Sequence, residues 1–216
     1  MNSKTSLFAT IVFALLSLLA GLAPGIRGDD RDEITRLAAL ANWKAGTIVA
    51  DVGAGDGTYS FAAAEKVGPS GRVYATEIDR EKLQTLQADA AKRKLENISV
   101  VEGTVEDTKL PSNCCDTIFL RHVYHHLTQP KDFDRNLVRS LKPGGYLAII
   151  DFPPDKNLAP VEGVPANRGG HGIPEKVMVE ELTAAGLKVE KAIDHWSGRD
   201  YCVLFLKPHG GVPSSR

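Results

Sequence analysis

The chain has little that would tie it to an anionic polymer or a stapled extracellular scaffold. Its 26 Lys and Arg stand against 27 Asp and Glu, a net charge of −1, so nothing favours nucleic acid as a partner. Cysteine is scarce: Cys114, Cys115 and Cys202 are the only three. An odd count with an adjacent pair is no disulfide framework, and the pair lacks the C-x-x-C spacing of metal or redox work. The three are expected to be free, small residues packed at strands. Aromatic residues make up only 6%, and no internal repeat or low-complexity tract is present. At 216 residues the chain is still long enough to bury one proper core.

Long apolar runs are absent except at the start. Lys4 precedes an uncharged stretch, Leu7 to Ala23, which Pro24 and Gly25 break before a charged segment from Arg27. This is the layout of a secretory signal peptide, and the run is also just long enough for a membrane anchor. No A-x-A site exists, although Ala23, Gly25 and Gly28 are small, and no Cys follows to carry a lipid. Residues 1–28 are therefore expected to be a signal peptide or anchor, 29–208 one domain and 209–216 a tail. The expected location is exported, periplasmic or secreted, or anchored. A membrane partner is expected only if the leader stays.

Within the domain, strand-like and helix-like segments alternate. Asp32–Asn42 carries an apolar stripe at Ile34, Leu37, Ala38 and Ala41, a helix signal. The pattern predicts strands at Thr47–Val52, Arg72–Glu77, Ile98–Glu102, Asp116–Leu120, Tyr146–Asp151, Leu187–Ile193 and Cys202–Leu206. Helices are predicted at Tyr59–Val67, Arg80–Leu95, Lys131–Leu141 and Pro174–Ala185, with a tight turn at Lys142–Gly145. Alternation with short connections implies an α/β sandwich, a parallel sheet with helices on both faces. Phe152 to Ile173 breaks the rhythm: it is rich in Pro and Gly and reads as a mobile lid.

The most informative segment is VADVGAGDGTYS, Val49 to Ser60. An apolar strand runs into Asp51, then Gly53, Ala54, Gly55, Asp56 and Gly57, then a helix start. Such a turn lets a ligand approach the backbone closely. A dinucleotide fingerprint needs G-x-G-x-x-G, but Thr58 stands where the third Gly would fall and Gly57 comes one residue early. A phosphate loop would need a Lys, and none follows. Asp56 would repel pyrophosphate. Glu77, at the end of the next strand, is placed to accept from both ribose hydroxyls. Ile78 can lie against a flat base, and Gly103–Glu106 can meet its edge. Loop, acid and polar turn at three successive strand ends read together as a nucleoside cradle.

On VADVGAGDGTYS, VYATEID, VEGTVED, CCDTIFLRHVYHHL and LKPGGYLAIIDF, the chain resembles the class I S-adenosylmethionine-dependent methyltransferases from Asp32 to Pro208. It is most similar to a subgroup of small, often signal-bearing bacterial members of unassigned substrate. The resemblance implies a Rossmann-like three-layer sandwich whose seven-stranded sheet is mostly parallel, with the last strand antiparallel. It implies S-adenosyl-L-methionine as cofactor, held by Asp51, Gly53, Ala54, Gly55, Gly57, Glu77, Ile78, Thr104, Val105, Leu120 and Arg121. Asp51 would orient the methionine amino group, Leu120 and Arg121 its side chain, and Thr104–Val105 the adenine edge. Many relatives carry Asp where Thr104 stands.

The acceptor side offers His122, Tyr124, His125, His126, Asp151 and His171. Three readings stay open. His125 or His122 is a general base, since His titrates near working pH; the His side chains shape the pocket by hydrogen bonding; or they bind a metal. Adjacent His residues do not easily share one ion, so no metal ligand is assigned. Methyl transfer is an in-line displacement that mostly needs positioning in a dry site, so no catalytic triad is required. The expected acceptor is a small molecule. The alternative is a ligand-binding protein on the same scaffold, without catalysis.

Overall fold

The computed structural model describes residues 28–210; the leader and the end of the tail lie outside them. Seven strands form one sheet in the order β3-β2-β1-β4-β5-β7-β6. They are β1 (Ile48–Val52), β2 (Arg72–Glu77), β3 (Ile98–Glu102), β4 (Cys115–Arg121), β5 (Leu141–Asp151), β6 (Lys188–Ile193) and β7 (Tyr201–Leu206). β7 runs antiparallel to β5 and β6, and the pairs β1–β2, β1–β4, β2–β3 and β4–β5 are parallel. The expected Rossmann-like sheet with an antiparallel last strand is therefore present.

Alternation along the strands sorts the core into two layers. Val49, Val73, Phe119, Ala148 and Ile150 pack beneath α1 (Gly28–Leu40) and α2 (Thr58–Val67) through Ile34, Leu37, Ala63 and Val67. Their neighbours Ala50, Val52, Ile118, Leu120, Leu147 and Ile149 point the other way. They meet α4 (Pro130–Ser140) and α5 (Glu175–Ala184) through Phe133, Leu137, Met178 and Leu182. The remaining helix, α3 (Arg80–Lys92), joins the first layer, with Leu86 against Phe61 and Ala75. Asp79 starts it by accepting from the backbone N–H groups of Glu81 and Lys82. β6 is the exception to burial: its KVEKAI face is exposed, with Lys188 and Lys191 on an edge, a charge pattern that discourages further strand addition.

Three expectations change. The Lys142–Gly145 turn sits inside β5: Cys115 pairs with Leu141 and Thr117 with Tyr146, so the four residues between bulge out of the ladder. The predicted Leu141 end of α4 becomes the first strand residue. Cys114 and Cys115 are not free; they form a disulfide with each other just as β4 begins, while Cys202 is free and buried. Chain adjacency alone holds their Cα atoms 3.7 Å apart, so spacing rules for distant cysteines did not apply.

The segment after β5 is also tied down rather than loose. Backbone bonds run from Asp155 N to the His171 carbonyl, Val161 N to Gly170 and Ile173 N to Phe152. Arg168, only 1% exposed, anchors the segment from inside. Its guanidinium donates to the carbonyls of Leu127 and Tyr124 and to the Glu181 carboxylate of α5. Glu181 and Asp134 of α4 both lie within 3.1 Å of the Tyr124 hydroxyl. Burial pushes Asp134 up to about 7, in keeping with two carboxyl groups crowding one phenol.

Candidate functional site

The carboxyl ends of β1, β2, β3 and β4 open on one side of the sheet, where the topology switches between β1 and β4. A cavity of about 330 Å³ lies there. Its wall runs from Gly53 and Gly55 past Glu77 and Ile78 to Thr104 and Val105, then to Arg121, His122 and His126. A second, more polar cavity adjoins it across the glycine loop and includes Asp51, Ala54, Tyr59 and Arg121.

The loop glycines do different jobs. Gly55 has φ +57°, and a Cβ built there would touch nothing within 4 Å, so its face is open to the cavities. At Gly57, φ is +82° and a Cβ would meet Leu86 and Phe61 at 2.4–2.7 Å. The early third glycine is thus required by helix packing, and Gly57 lines neither cavity.

Glu77 is pinned by three backbone donors: Gly55 N at 2.9 Å on one oxygen, Ile78 N at 2.7 Å and Asp79 N at 3.1 Å on the other. Its carboxylate therefore clamps the glycine loop to the end of β2. One acceptor position, on the oxygen bound by Gly55 N, remains for a ligand, because a carboxylate offers about four and three are taken. Beside it stand two of the few exposed large apolar side chains among the described residues, Ile78 at 55% and Val105 at 57%. Both border the same cavity, forming a slot for a flat apolar group. The Thr104 hydroxyl is occupied by its own turn: it accepts from Glu106 N and Asp107 N.

Asp51 is buried at the loop base, and Ser60 Oγ donates to it at 2.6 Å. Burial, with the Glu77 and Asp56 charges nearby, pushes it up to about 7 despite the Ser60 bond. It is placed to welcome a cation. Leu120 is wholly buried in the opposite layer, beneath the loop rather than in a cavity wall. Arg121 reaches back to Glu33 of α1 at 3.1 Å and lies over the Tyr59 ring, so α1 closes the far side of the polar cavity. Burial works to raise the Glu33 pKa, yet the Arg121 and Tyr59 contacts hold its carboxyl below the usual range.

The His candidates separate. His122 lines the cavity and has φ +55°, a conformation that re-aims the chain after β4. Its Nε2 is 2.6 Å from Asp200, a residue before β7 that no local motif announced. Its Nδ1 is 3.4 Å from the Arg121 guanidinium. His125 lies behind the wall, 2% exposed, with Nδ1 at 2.8 Å from Asp151. His126 forms part of the wall itself; although its outer edge is exposed, partial desolvation and the neighbouring His125 and His171 lower its pKa, which favours the neutral ring.

A sheet of this order with a ligand cavity at its switch point defines a methyltransferase fold. Comparison with known proteins agrees. A family model described as a methyltransferase domain matches residues 43–186, and the chain belongs to that family. A crystal structure of an S-adenosylmethionine-dependent methyltransferase from Aquifex aeolicus superposes with a TM-score of 0.69 at 28% identity, covering 82% of this chain and 93% of that one. Demethylmenaquinone methyltransferases are also similar. The protein from Geobacillus sp. (strain WCH70) is 30% identical over 51% of this chain and 47% of its own. That from Listeria monocytogenes serotype 4a (strain HCC23) is 29% identical over 49% and 45%. The chain spans about half the length of these curated relatives.

Proposed function

We propose that the chain is an S-adenosylmethionine-dependent methyltransferase acting on a small molecule. The observation that carries this is the continuous wall from the open face of Gly55, through the Glu77 carboxylate, to the Ile78–Val105 slot. The order of these groups suits a ligand with a polar amino-acid end, a ribose and a flat base. The polar cavity supplies Asp51 for a cationic amino group, and its Arg121 is paired with Glu33. S-adenosylmethionine, when bound, supplies an electrophilic methyl on a sulfonium.

The protein's own residues then have to hold an acceptor in line and keep water out. Val123, Leu127 and Phe133 give the acceptor end of the cavity an apolar lining, with His122 and His126 as its polar groups. That mixture fits a partly apolar small molecule. Asp200 fixes the His122 ring and Arg121 engages its other nitrogen, so His122 shapes the acceptor end as a fixed part of its wall. The Cys114–Cys115 disulfide supports the export we propose for the leader, since such bonds persist in oxidising compartments. No described helix is long and apolar enough to cross a membrane.

A pH series tests the cofactor assignment. Asp51 is pushed up to about 7 in the free protein, and an ammonium beside it favours the ionised form. Binding below that pH must therefore expel a proton. Affinity for S-adenosylmethionine is expected to rise with pH, by up to roughly tenfold per unit, and to level off above about 7. Titration calorimetry at pH 6 in buffers of different ionisation heat should read about one proton released. An affinity flat from pH 5.5 to 8 would remove Asp51 from the amino-group role. The same shift has a stability consequence. The folded chain keeps a proton that the unfolded chain gives up near the ordinary value of 3.8, so the free protein loses stability as pH climbs from there to about 7.

A further inference from the structure

The His125, His126 and His171 rings form a cluster at the edge of the cavity, with His126 alone in its wall. Each offers a ring nitrogen, and these atoms all lie within 4.8 Å of one another. From the sequence, adjacent His residues are not expected to share one ion easily. Here the short helical turn Tyr124–His126 brings the His125 and His126 rings to 4.1 Å between centroids. His171 arrives from 46 residues further along the chain than His125, with the two rings 5.3 Å apart. Its placement is built: Gly172 has φ +78°, and a Cβ there would strike the Pro153 and Phe152 carbonyls at 2.7–2.8 Å.

The hydrogen bonds fix which nitrogens face inward. His125 Nδ1 is held by Asp151 Oδ1 at 2.8 Å, and Asp151 is itself held by the backbone N–H groups of His125 and Phe152. His171 Nδ1 donates to the Ala159 carbonyl at 2.8 Å. Both rings therefore carry their proton on Nδ1 and present a bare Nε2. The His125 Nε2 is buried and has no hydrogen-bond partner, an expensive arrangement for a polar atom. A carboxylate or carbonyl behind Nδ1, with Nε2 aimed forward, is how metal-ligating imidazoles are held in place. The bare atom is what a cation would satisfy.

We propose that His125, His126 and His171 bind one borderline divalent transition-metal ion, of the zinc type, at the edge of the acceptor cavity. Three neutral imidazoles suit such an ion and leave a fourth position open. Metal–nitrogen bonds of about 2.0–2.1 Å at tetrahedral angles need nitrogens roughly 3.3 Å apart, so the cluster must contract on binding. The exposed His126 and half-buried His171 have room to turn, while buried His125 is the fixed corner. Because His126 also lines the cavity, the open position sits where an acceptor oxygen or nitrogen could coordinate. That use rests on the methyltransferase reading, whereas ion binding does not.

The test is titration of Zn²⁺ into untagged, chelator-stripped full-length protein by calorimetry, with Co²⁺ absorption as a second readout of coordination. One ion per chain is expected, with a Co²⁺ spectrum of low-coordinate type. His126→Ala and His171→Ala should each weaken binding by roughly a hundredfold or more. Asp151→Asn should weaken it by about 10- to 100-fold, and His195→Ala, away from the cluster, should leave it unchanged. No stoichiometric binding by the folded parent, or binding undiminished in the His126→Ala/His171→Ala double variant, would overturn the site. Binding of S-adenosylmethionine is measured separately on the same stripped protein, so loss of one assignment is distinguishable from loss of the other.

Discussion

Replacing Glu77 with Ala is expected to weaken S-adenosylmethionine binding by roughly a hundredfold, about 3 kcal/mol, while the sheet stays folded. Two effects add. The ligand loses a charged acceptor for its ribose hydroxyls, and hydrogen bonds to charged groups contribute about 1.5–3 kcal/mol each. The protein loses the clamp between Gly55 N and the end of β2, so the loop must be ordered at the moment of binding. Glu77→Gln should recover little, because an amide presents a donor to one of the backbone N–H groups the carboxylate now satisfies. Calorimetric titration of both variants, with circular dichroism to confirm the fold, reads the effect. An affinity within threefold of the parent would mean that Glu77 holds only the loop and that the ribose lies elsewhere.

The largest stability effect is expected at Arg168. Arg168→Met keeps the volume of a side chain that is 1% exposed but removes the cation from a cluster containing Glu181 and Asp134. Breaking one partner of a buried pair costs about 3–5 kcal/mol. Glu181 retains 22% exposure, and water there places the cost near the lower end. About 3 kcal/mol lowers the unfolding midpoint by roughly 10 °C for a chain of this size. The deficit also has a pH signature. Asp134 is pushed up to about 7, so the folded state holds a proton that the unfolded state loses near 3.8. Stability through this group therefore falls as pH rises across that window, and removing the neighbouring cation deepens the fall. The variant should lose more at pH 8 than at pH 5.5 in thermal unfolding followed by circular dichroism. A midpoint within 2 °C of the parent at both pH values would show that the segment after β5 is held without Arg168.

How much of this was legible in the sequence depends on the range of the interaction. Strands β2 and β3 match their expected bounds because apolar runs flanked by Gly71, Asp79 and Gly103 are local signals. The glycine loop and Glu77 were readable for the same reason: a strand end and the turn after it are set by a dozen neighbouring residues. The job of Gly57 was not, since its glycine answers to Leu86 of a later helix. Thr104 borders the cavity as its place after β3 implies, while the turn bonds of its hydroxyl were not legible. Long-range partners left no local trace. Asp200 lies 78 residues from His122, Glu33 lies 88 from Arg121, and Arg168 is 44 from Tyr124. The Pro- and Gly-rich segment after β5 looked loose because its composition is that of a lid. Its anchor is one buried Arg and a few backbone bonds, which composition does not encode.

The function turns on which ligand fills the cavity at the carboxyl ends of β1 to β4. The most direct measurement is calorimetric titration of the full chain with S-adenosylmethionine and, in parallel, with NAD. One S-adenosylmethionine per chain is expected to bind, and NAD is expected to give no saturable heat. A folded protein that gives no heat with S-adenosylmethionine, or that prefers NAD, would contradict the account at its centre.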